Sequence, residues 1–251
     1  MKKIIIVGAT SGIGEGLVCR YAENGCAKIG IIGRRKDLLD SLCASYPDVC
    51  GSAVCDVTDV ARAETVLNGL VERLGGLDLL ILSAGTGDLN PSLNYRIESE
   101  ALQLNVVSWT FIVDWSIRFF EKQGCGHLAA ITSVGGLRGS GIAPAYNATK
   151  AFQINYLEGM RQRVVSSRMP IVVTDIRPGF VDTAMAKGEG LFWKAPVDKV
   201  ARQIVKGLEH KRSIVYVTRR WRMVAGLWKC IPDVLFVRMG AGNPEQGERK
   251  G

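Results

Sequence analysis

The sequence has few of the residues that usually build a metal centre or a disulfide framework. Only two histidines occur among 251 residues, and the seven cysteines include no Cys-x-x-Cys pair. This composition argues against a zinc cluster, and we predict no metal site. The number of cysteines is odd, and several lie inside predicted strands or helices, where thiols pack as small apolar groups. We therefore expect reduced cysteines in a cytoplasmic protein.

Long apolar runs and recognisable nucleic-acid modules are also missing. No stretch approaches the roughly 18 apolar residues of a spanning helix. The apolar start, Lys3–Val7, breaks at Gly8, which favours a first strand over a signal peptide. A net charge of +8 at pH 7 would attract an anionic cofactor, nucleic acid or an anionic membrane. Because the basic residues are spread along the chain, we expect no binding to nucleic acid.

Strand-like and helix-like segments alternate along most of the chain. Short apolar runs such as Lys3–Val7 and Leu77–Leu82 are separated by helical patterns such as Gly12–Glu23 and Val197–Glu209. This alternation is typical of parallel strands covered on both faces. It predicts an α/β fold: a Rossmann-like, doubly wound, mostly parallel sheet of seven strands with helices on both faces. We expect one domain over residues 1–218, followed by an extension over residues 219–251.

A glycine-rich segment follows the first predicted strand and precedes the first predicted helix. Glycine allows close approach of the backbone to a phosphate, and the helix start offers unpaired N–H groups. This placement favours a dinucleotide phosphate site over a turn that binds nothing. The residues predicted to form the site are Gly8, Thr10, Ser11, Gly12, Ile13 and Gly14.

A second motif combines Tyr146 and Lys150, the only Tyr-x-x-x-Lys in the chain, with Ser133 at the end of an apolar run. Residues four apart on a helix share a face, so both side chains can enter one cleft. A free tyrosine has a pKa of about 10, and an ammonium at about 4 Å contributes about 4 kcal/mol at an effective dielectric near 20. That is enough to bring the pKa near 7 in a partly closed cleft. Each residue alone could be structural; together they suggest proton transfer to a carbonyl or from an alcohol.

In this order and spacing, the two motifs resemble those of the short-chain dehydrogenase/reductase family over residues 3–218. The resemblance implies hydride transfer between a nicotinamide cofactor and a carbonyl or secondary alcohol, with Tyr146 as general acid or base. Ser133 would orient the substrate oxygen. Lys150 would lower the tyrosine pKa and hold the nicotinamide ribose, and Asn105 would anchor a water in the proton path. The alternative is a non-catalytic, dinucleotide-binding regulatory protein on the same fold.

The end of the second predicted strand bears on the choice of cofactor. An acidic residue there would accept hydrogen bonds from the adenosine ribose and favour NAD, but Gly33 occupies the position. Arg34 and Arg35 can instead bind a 2′-phosphate, because a guanidinium matches its oxygens. We predict NADP(H), with NAD(H) less favoured; two solvated arginines are the alternative.

The resemblance also implies contacts farther along the chain, with two departures from the family pattern. The family commonly has Thr-Gly and Asn-Ala-Gly where this chain has Val7-Gly8 and Ser83-Ala84-Gly85. Asp56 would lie beside the adenine, and Thr183 would hold the nicotinamide carboxamide. The further predicted cofactor-binding residues are Asp56, Val57, Ser83, Ala84, Gly85, Tyr146, Lys150, Pro178, Gly179, Val181 and Thr183.

Two more segments are assigned to the substrate. The family resemblance implies a flexible lid over residues 184–195, and residues 135–143 are the other candidate wall. Apolar side chains in both segments favour an apolar or acyl-type small-molecule carbonyl or alcohol over other substrates.

The extension after Thr218 combines a basic start with an apolar stretch that Pro232 should divide. Three interpretations stay open. The extension packs on the active-site mouth or on a neighbouring subunit, which we favour; it lies on a membrane surface as a peripheral contact; or it completes the core. A homodimer or homotetramer is expected.

Overall fold

The computed structural model describes residues 1–25, 27–47, 50–183 and 193–240. Within these residues, seven strands form a single parallel sheet in the order β3-β2-β1-β4-β5-β6-β7. The strands are β1 Lys2–Val7, β2 Ala27–Gly33, β3 Cys50–Val54, β4 Leu79–Leu82, β5 Gly126–Ile131, β6 Ile171–Pro178 and β7 Ile214–Val217. This is the doubly wound sheet that the alternating pattern predicts.

The helices connect successive strands and continue beyond the last one. They are α1 Gly12–Glu23, α2 Lys36–Ser45, α3 Val60–Leu74, α4 Tyr95–Leu102, α5 Trp109–Gln123, α6 Pro144–Ser167, α7 Val197–Glu209, α8 Trp221–Cys230 and α9 Asp233–Gly240. None of the helices within the described ranges is long and apolar enough to cross a membrane.

Both faces of the central strands are buried, which explains why β1 and β4 read as apolar runs. In β1, Ile4 and Ile6 pack with α1, α2 and α7, whereas Ile5 and Val7 pack on the opposite face with α3, α5 and α6. All four side chains are fully buried. Because neighbouring residues of a strand point to opposite faces, one apolar run supplies both cores.

The sequence pattern misses three local features. The sequence pattern also predicts a long helical stretch over Glu98–Lys122, but this helix begins at Tyr95, where the Asn94 side chain accepts a hydrogen bond from the Arg96 N–H at 3.0 Å. Its middle, Gln103–Ser108, is a π-helical turn. A short 3₁₀ turn over Val134–Leu137 follows β5. The predicted division of the C-terminal extension at Pro232 is confirmed, since α8 ends at Cys230 and α9 starts at Asp233.

The cysteines within the described part of the chain are free thiols: Cys19, Cys43, Cys50, Cys55, Cys125 and Cys230. No group of three or more potential metal ligands occurs in the same part.

Candidate active site

Tyr146 and Lys150 lie one turn apart near the start of α6 and face the same cleft. The Lys150 ammonium lies 5.8 Å from the centre of the Tyr146 ring. Lys150 is buried, while Tyr146 is partly exposed. Pro144 in the first turn supports the helix start, because its missing N–H has no intrahelical partner to lose. The helix thus presents a phenol to the cleft with a buried cation beneath it.

Ser133 reaches the same place from the carboxyl end of β5. Its hydroxyl accepts a hydrogen bond from the Gly135 N–H at 3.0 Å and faces the Tyr146 phenol, whose pKa it lowers. Gly135 lies so close that a Cβ there would be 3.3 Å from the Ser133 hydroxyl. The structure therefore brings together the serine, the tyrosine and the lysine that the motif predicted.

Asn105 is fully buried in the π-helical turn and ties the loop after β4 to α6. Its amide donates to the Thr86 carbonyl at 2.7 Å and to the Thr149 hydroxyl at 3.1 Å, and its Oδ1 accepts from the Thr86 N–H at 2.9 Å. A Cβ on Gly85 would lie 3.3 Å from Asn105 Oδ1 and 3.5 Å from Lys150 Nζ. The extra residue of the π-helical turn places Asn105 against the site instead of along a regular helix face.

Gln153 joins Asn105 to Lys150, although no sequence motif singles it out. Its Nε2 donates to the main-chain oxygen of Asn105 at 2.8 Å, and its Oε1 accepts from Lys150 Nζ at 3.0 Å. Lys150 Nζ also donates to the Ile131 carbonyl at 3.1 Å. Gln153 is fully buried. The only local signal is its position three residues after Lys150, which places the two on neighbouring parts of the helix surface.

Burial controls the protonation of the two central groups. Desolvation lowers the pKa of Lys150 to about 8, although the negative charge of Asp175 opposes this change. Desolvation also raises the pKa of Tyr146 above its ordinary value, against the hydrogen bond from Ser133. The protein alone therefore favours the protonated phenol, mainly through burial.

The glycine loop after β1 has the compact form that close packing requires. Gly8 has φ +84°, and a Cβ there would overlap the backbone of Ala84. A Cβ on Gly14 would overlap the Gly8 carbonyl oxygen. Ser11 precedes α1 without a side-chain capping hydrogen bond, so the N–H groups of the first turn are left for another acceptor. This loop fits a phosphate-bearing group at the helix start.

The two predicted phosphate-binding arginines have different surroundings. The Arg35 guanidinium folds back on the glycine loop and donates to the Thr10 hydroxyl at 2.8 Å and the Ser11 hydroxyl at 2.9 Å. Arg34 is largely exposed and lies 3.7 Å from Asp56. Burial disfavours the Asp56 carboxylate, but hydrogen bonds from Thr58 and the charge of Arg34 outweigh it and lower the Asp56 pKa. Both cations border the loop.

The other predicted cofactor residues line the carboxyl edge of the sheet with unequal access. Ser83 and Ala84 both donate their N–H to the Val7 carbonyl, at 2.8 and 2.9 Å. Thr183 lies against Gly12, where a Cβ would be 3.0 Å from its methyl group. Three of the predicted residues also pack against the cores: Val57 and Val181 are buried, and Ile13 is partly buried. Pro178 ends β6 and is buried, and Gly179 follows it.

Of the predicted lid, only residues 193–195 are described. Residues 184–192 lie outside the described ranges, as does the chain after residue 240. The described part contacts the residues just before the lid: Asp182 donates its N–H to the Ala195 carbonyl at 2.9 Å, and Lys194 forms an ion pair with Asp182 at 3.0 Å. On the other predicted wall, Ile142 is 56% exposed.

The C-terminal extension packs against both loops that border the cleft. Trp221 is buried on Gly179, where a Cβ would overlap its indole, and its ring centre lies 5.5 Å from that of Phe180. Arg138, just beyond the 3₁₀ turn, donates to the carbonyl oxygens of Trp228 and Ile231. The extension thus borders the active-site mouth.

Arg138 makes two further contacts with the start of α9. Its guanidinium forms an ion pair with Asp233 and lies 4.7 Å from the centre of the Phe236 ring. Arg138 is therefore a single side chain that holds the junction of α8 and α9 beside the segment carrying Ser133.

Comparisons with known proteins agree with this geometry. Residues 2–191 match the family model described as short chain dehydrogenase. An uncharacterized oxidoreductase of Mycobacterium tuberculosis is 32% identical over 192 residues, which cover 73% of this chain and 75% of the relative. An uncharacterized oxidoreductase of Staphylococcus epidermidis is 26% identical over 189 residues, covering 74% and 81%.

Solved structures show the same fold at low identity. A short-chain dehydrogenase/reductase from Burkholderia phymatum in complex with NAD has a TM-score of 0.81 and 17% identity, covering 90% of this chain and 92% of that one. A 3-ketoacyl-(acyl-carrier-protein) reductase from Brucella melitensis complexed with NADH has a TM-score of 0.76 and 20% identity, covering 86% and 96%. Because the family model spans the glycine loop, Tyr146 and Lys150, this protein belongs to the short-chain dehydrogenase/reductase family of oxidoreductases.

Proposed function

We propose that this protein is an NADP(H)-dependent oxidoreductase that interconverts a carbonyl and a secondary alcohol, with Tyr146 as the general acid or base. The observation that carries the proposal is the meeting of Ser133, Tyr146 and Lys150 at the carboxyl edge of the sheet. Ligands bind doubly wound sheets at this edge. Two of the similar solved structures contain NAD or NADH, which belong to the same class of nicotinamide cofactor.

The chain's own residues divide the work of reduction as follows. NADPH bound at the glycine loop would supply the hydride. Ser133 orients the substrate oxygen by a hydrogen bond, and Tyr146 donates its proton to that oxygen. The raised pKa of Tyr146 suits this step, because it keeps the phenol protonated until the oxygen becomes basic. Lys150 holds its ammonium under the phenol and stabilises the phenolate left behind.

Oxidation needs the same residues in reverse. Tyr146 must then be a phenolate before it accepts the alcohol proton, which the raised pKa disfavours. A positively charged oxidised nicotinamide beside the ring would supply part of the missing stabilisation. At neutral pH the protein alone therefore holds Tyr146 in the protonated form that reduction requires.

Selection of NADP(H) is supported by the two arginines beside the glycine loop. Arg34 presents an exposed guanidinium, and Arg35 is already held on Thr10 and Ser11. No acidic residue ends β2, where Gly33 stands, so the usual acceptor for a ribose hydroxyl is replaced. Because Asp56 neutralises part of the Arg34 charge, we assign 2′-phosphate binding to Arg34 and Arg35 together and not to Arg34 alone.

Binding titrations with NADPH and NADH test this assignment. Wild-type protein should bind NADPH more tightly, and Arg34→Ala should weaken NADPH binding while leaving NADH binding nearly unchanged. Arg20→Ala, on an exposed pair with Glu23 in α1, is the control for a general charge effect. Tighter binding of NADH by the wild type would refute the assignment.

A carbonyl panel followed by loss of NADPH absorbance tests the chemistry. Apolar and acyl-type carbonyls should be preferred, since Ile142 and Trp193 present partly exposed apolar surface beside the site. Tyr146→Phe should retain NADPH binding and lose most turnover, because general acid–base catalysis contributes about 10² to 10⁴-fold. Tyr95→Phe, on the exposed surface of α4, is the matched control. Unchanged turnover in Tyr146→Phe would remove the proposed role.

Assembly is part of the same proposal. The outer surfaces of α4, the π-helical turn and α6 expose Leu102, Val107 and Phe152, each by more than a third. Apolar side chains of this size on adjacent elements favour a homodimer or homotetramer. Light scattering at several concentrations measures the subunit number directly.

A further inference from the structure

The C-terminal extension has a second, outward surface that the active site does not use. On α8, Trp221 and Ala225 are buried on the body, whereas Met223 and Leu227 point away and are 74% and 66% exposed. On α9, four large apolar side chains are also more than half exposed. We call this outward surface the tail face; it consists of Met223, Leu227, Val234, Leu235, Val237 and Met239.

Large exposed apolar side chains are unusual on helices that are held firmly against the protein body. Trp221 is buried on Gly179, and Arg138 holds the junction of α8 and α9 by hydrogen bonds, an ion pair and a ring contact. The tail face is therefore presented on an anchored support. Six large apolar side chains on two successive short helices exceed the scattered single exposures of an ordinary protein surface.

The charges around the tail face have one sign. Residues 219–240 contain five basic residues and a single acidic one, Asp233. Asp233 is already paired with Arg138, so the acidic charge is neutralised by a residue outside the extension. The five basic residues are Arg219, Arg220, Arg222, Lys229 and Arg238.

A cationic cavity at the start of α8 adds to this charge. It has a volume of about 210 Å³ and is lined by Lys194, Lys199, Arg219 and Arg220 together with Trp193. Lys194 is paired with Asp182, and the Arg220 guanidinium lies 5.8 Å from the centre of the Trp193 ring. Trp193 is 48% exposed. An amphipathic ring surrounded by arginine and lysine side chains matches the headgroup layer of a membrane.

We propose that the tail face docks on the surface of an anionic phospholipid membrane, with the apolar side chains among the acyl chains and the surrounding cations among the phosphates. Apolar area and electrostatic attraction act together in such interfacial helices. A second copy of this chain is a poorer occupant, because two tail faces in contact would place the same arginines opposite each other.

Docking in this orientation would bring the active-site mouth close to the lipid, because Trp221 and Arg138 link the tail face to both loops of the cleft. An apolar substrate could then pass from the membrane to the site with little exposure to water. The docking itself depends only on the extension and does not require the proposed reaction.

Vesicle sedimentation tests the proposal with the full-length protein. Vesicles containing phosphatidylglycerol should bind the wild type, and vesicles of phosphatidylcholine alone should not. Leu227→Glu and Val237→Glu should each weaken binding about tenfold, since each removes roughly the burial of one aliphatic side chain. Arg222→Gln should weaken it about fivefold, and added salt should weaken it further.

Val165→Glu is the matched control, because Val165 is 76% exposed on α6 and lies outside the extension. Thermal unfolding checks that each variant is folded, and this check does not depend on NADPH binding. Two results would overturn the proposal: no binding of the wild type to phosphatidylglycerol vesicles, or equal binding by Leu227→Glu and Val165→Glu. A loss of subunit mass in Leu227→Glu without vesicles would instead assign the tail face to a second copy.

Discussion

Substitution of Gln153 gives the sharpest test of how the site controls Lys150. Its side-chain amide makes two buried contacts, one to the Asn105 oxygen at 2.8 Å and one to Lys150 Nζ at 3.0 Å. Gln153→Leu removes both contacts at similar volume. Gln153→Glu keeps an acceptor beside Lys150, adds a negative charge and removes the donor to Asn105. The two variants therefore lose the Asn105 contact in common and differ at the lysine.

The expected magnitudes follow from these contacts. A hydrogen bond to a charged group contributes about 1.5–3 kcal/mol, so Gln153→Leu should lower the Lys150 pKa by about one to two units from its value near 8. A carboxylate at about 4 Å contributes about 4 kcal/mol at an effective dielectric near 20, so Gln153→Glu should raise the pKa by about three units. Both should reduce stability by about 1–3 kcal/mol through the unpaired Asn105 oxygen.

NMR of protein labelled with ¹³C at the lysine ε-carbon measures the titration of Lys150 without any substrate. Lys150→Met identifies the resonance. The wild type should titrate near pH 8, the leucine variant below it and the glutamate variant above it. The alkaline limit of NADPH turnover should move in the same directions. Titration of Lys150 at the same pH in all three proteins would refute the reasoning, and equal losses of stability would then assign Gln153 a packing role only.

Three other substitutions have directions set by the structure. Burial lowers the pKa of His127 to about 4, so the free energy of unfolding falls as the pH drops from 6.5 towards 4. When unfolding in urea is measured over this pH range, His127→Leu should lose about 3 kcal/mol less of that free energy than the wild type. Gly87→Ala places a methyl group into the Tyr146 ring and should lower kcat while NADPH binding persists. Gly179→Ala places one into the Trp221 indole and should lower the unfolding free energy by about 1–3 kcal/mol, with a change in tryptophan fluorescence.

Matched controls exist for the two glycine substitutions. Gly69 and Gly226 lie in helices with open space around them, so alanine there should be neutral or stabilising by roughly 0.5–1 kcal/mol. If these controls behaved like the test variants, the close contacts at Gly87 and Gly179 would not be the cause.

Local sequence signals define the fold well where the structure is made of local contacts. Helix α1 has the predicted bounds, because the glycine loop precedes it and Gly25 follows it. The same holds for α7. Apolar runs identified the central strands, since these are buried on both faces. The predicted residues at the strand ends, including Gly8, Ser83 and Ser133, do lie at one sheet edge.

Features that depend on distant partners could not be predicted from the sequence. Gln153 resembles any polar helix residue until Asn105, forty-eight positions earlier, packs against it. The π-helical turn at Gln103–Ser108 leaves the helical periodicity almost unchanged, yet it sets the position of Asn105. The guanidinium of Arg35 suits a phosphate ligand, but only the folded loop shows that the hydroxyls of Thr10 and Ser11 hold it.

Arg138 links the C-terminal extension to the segment that carries Ser133 of the active site. One guanidinium reaches Trp228, Ile231 and Asp233 from a position five residues after Ser133. A protein shortened before residue 228 would leave that partly buried cation without its acceptors and loosen the segment that carries Ser133. Truncations or fusions in the C-terminal extension would then alter turnover directly. The activity of such variants would therefore reflect changes in the active site as well as changes in the extension.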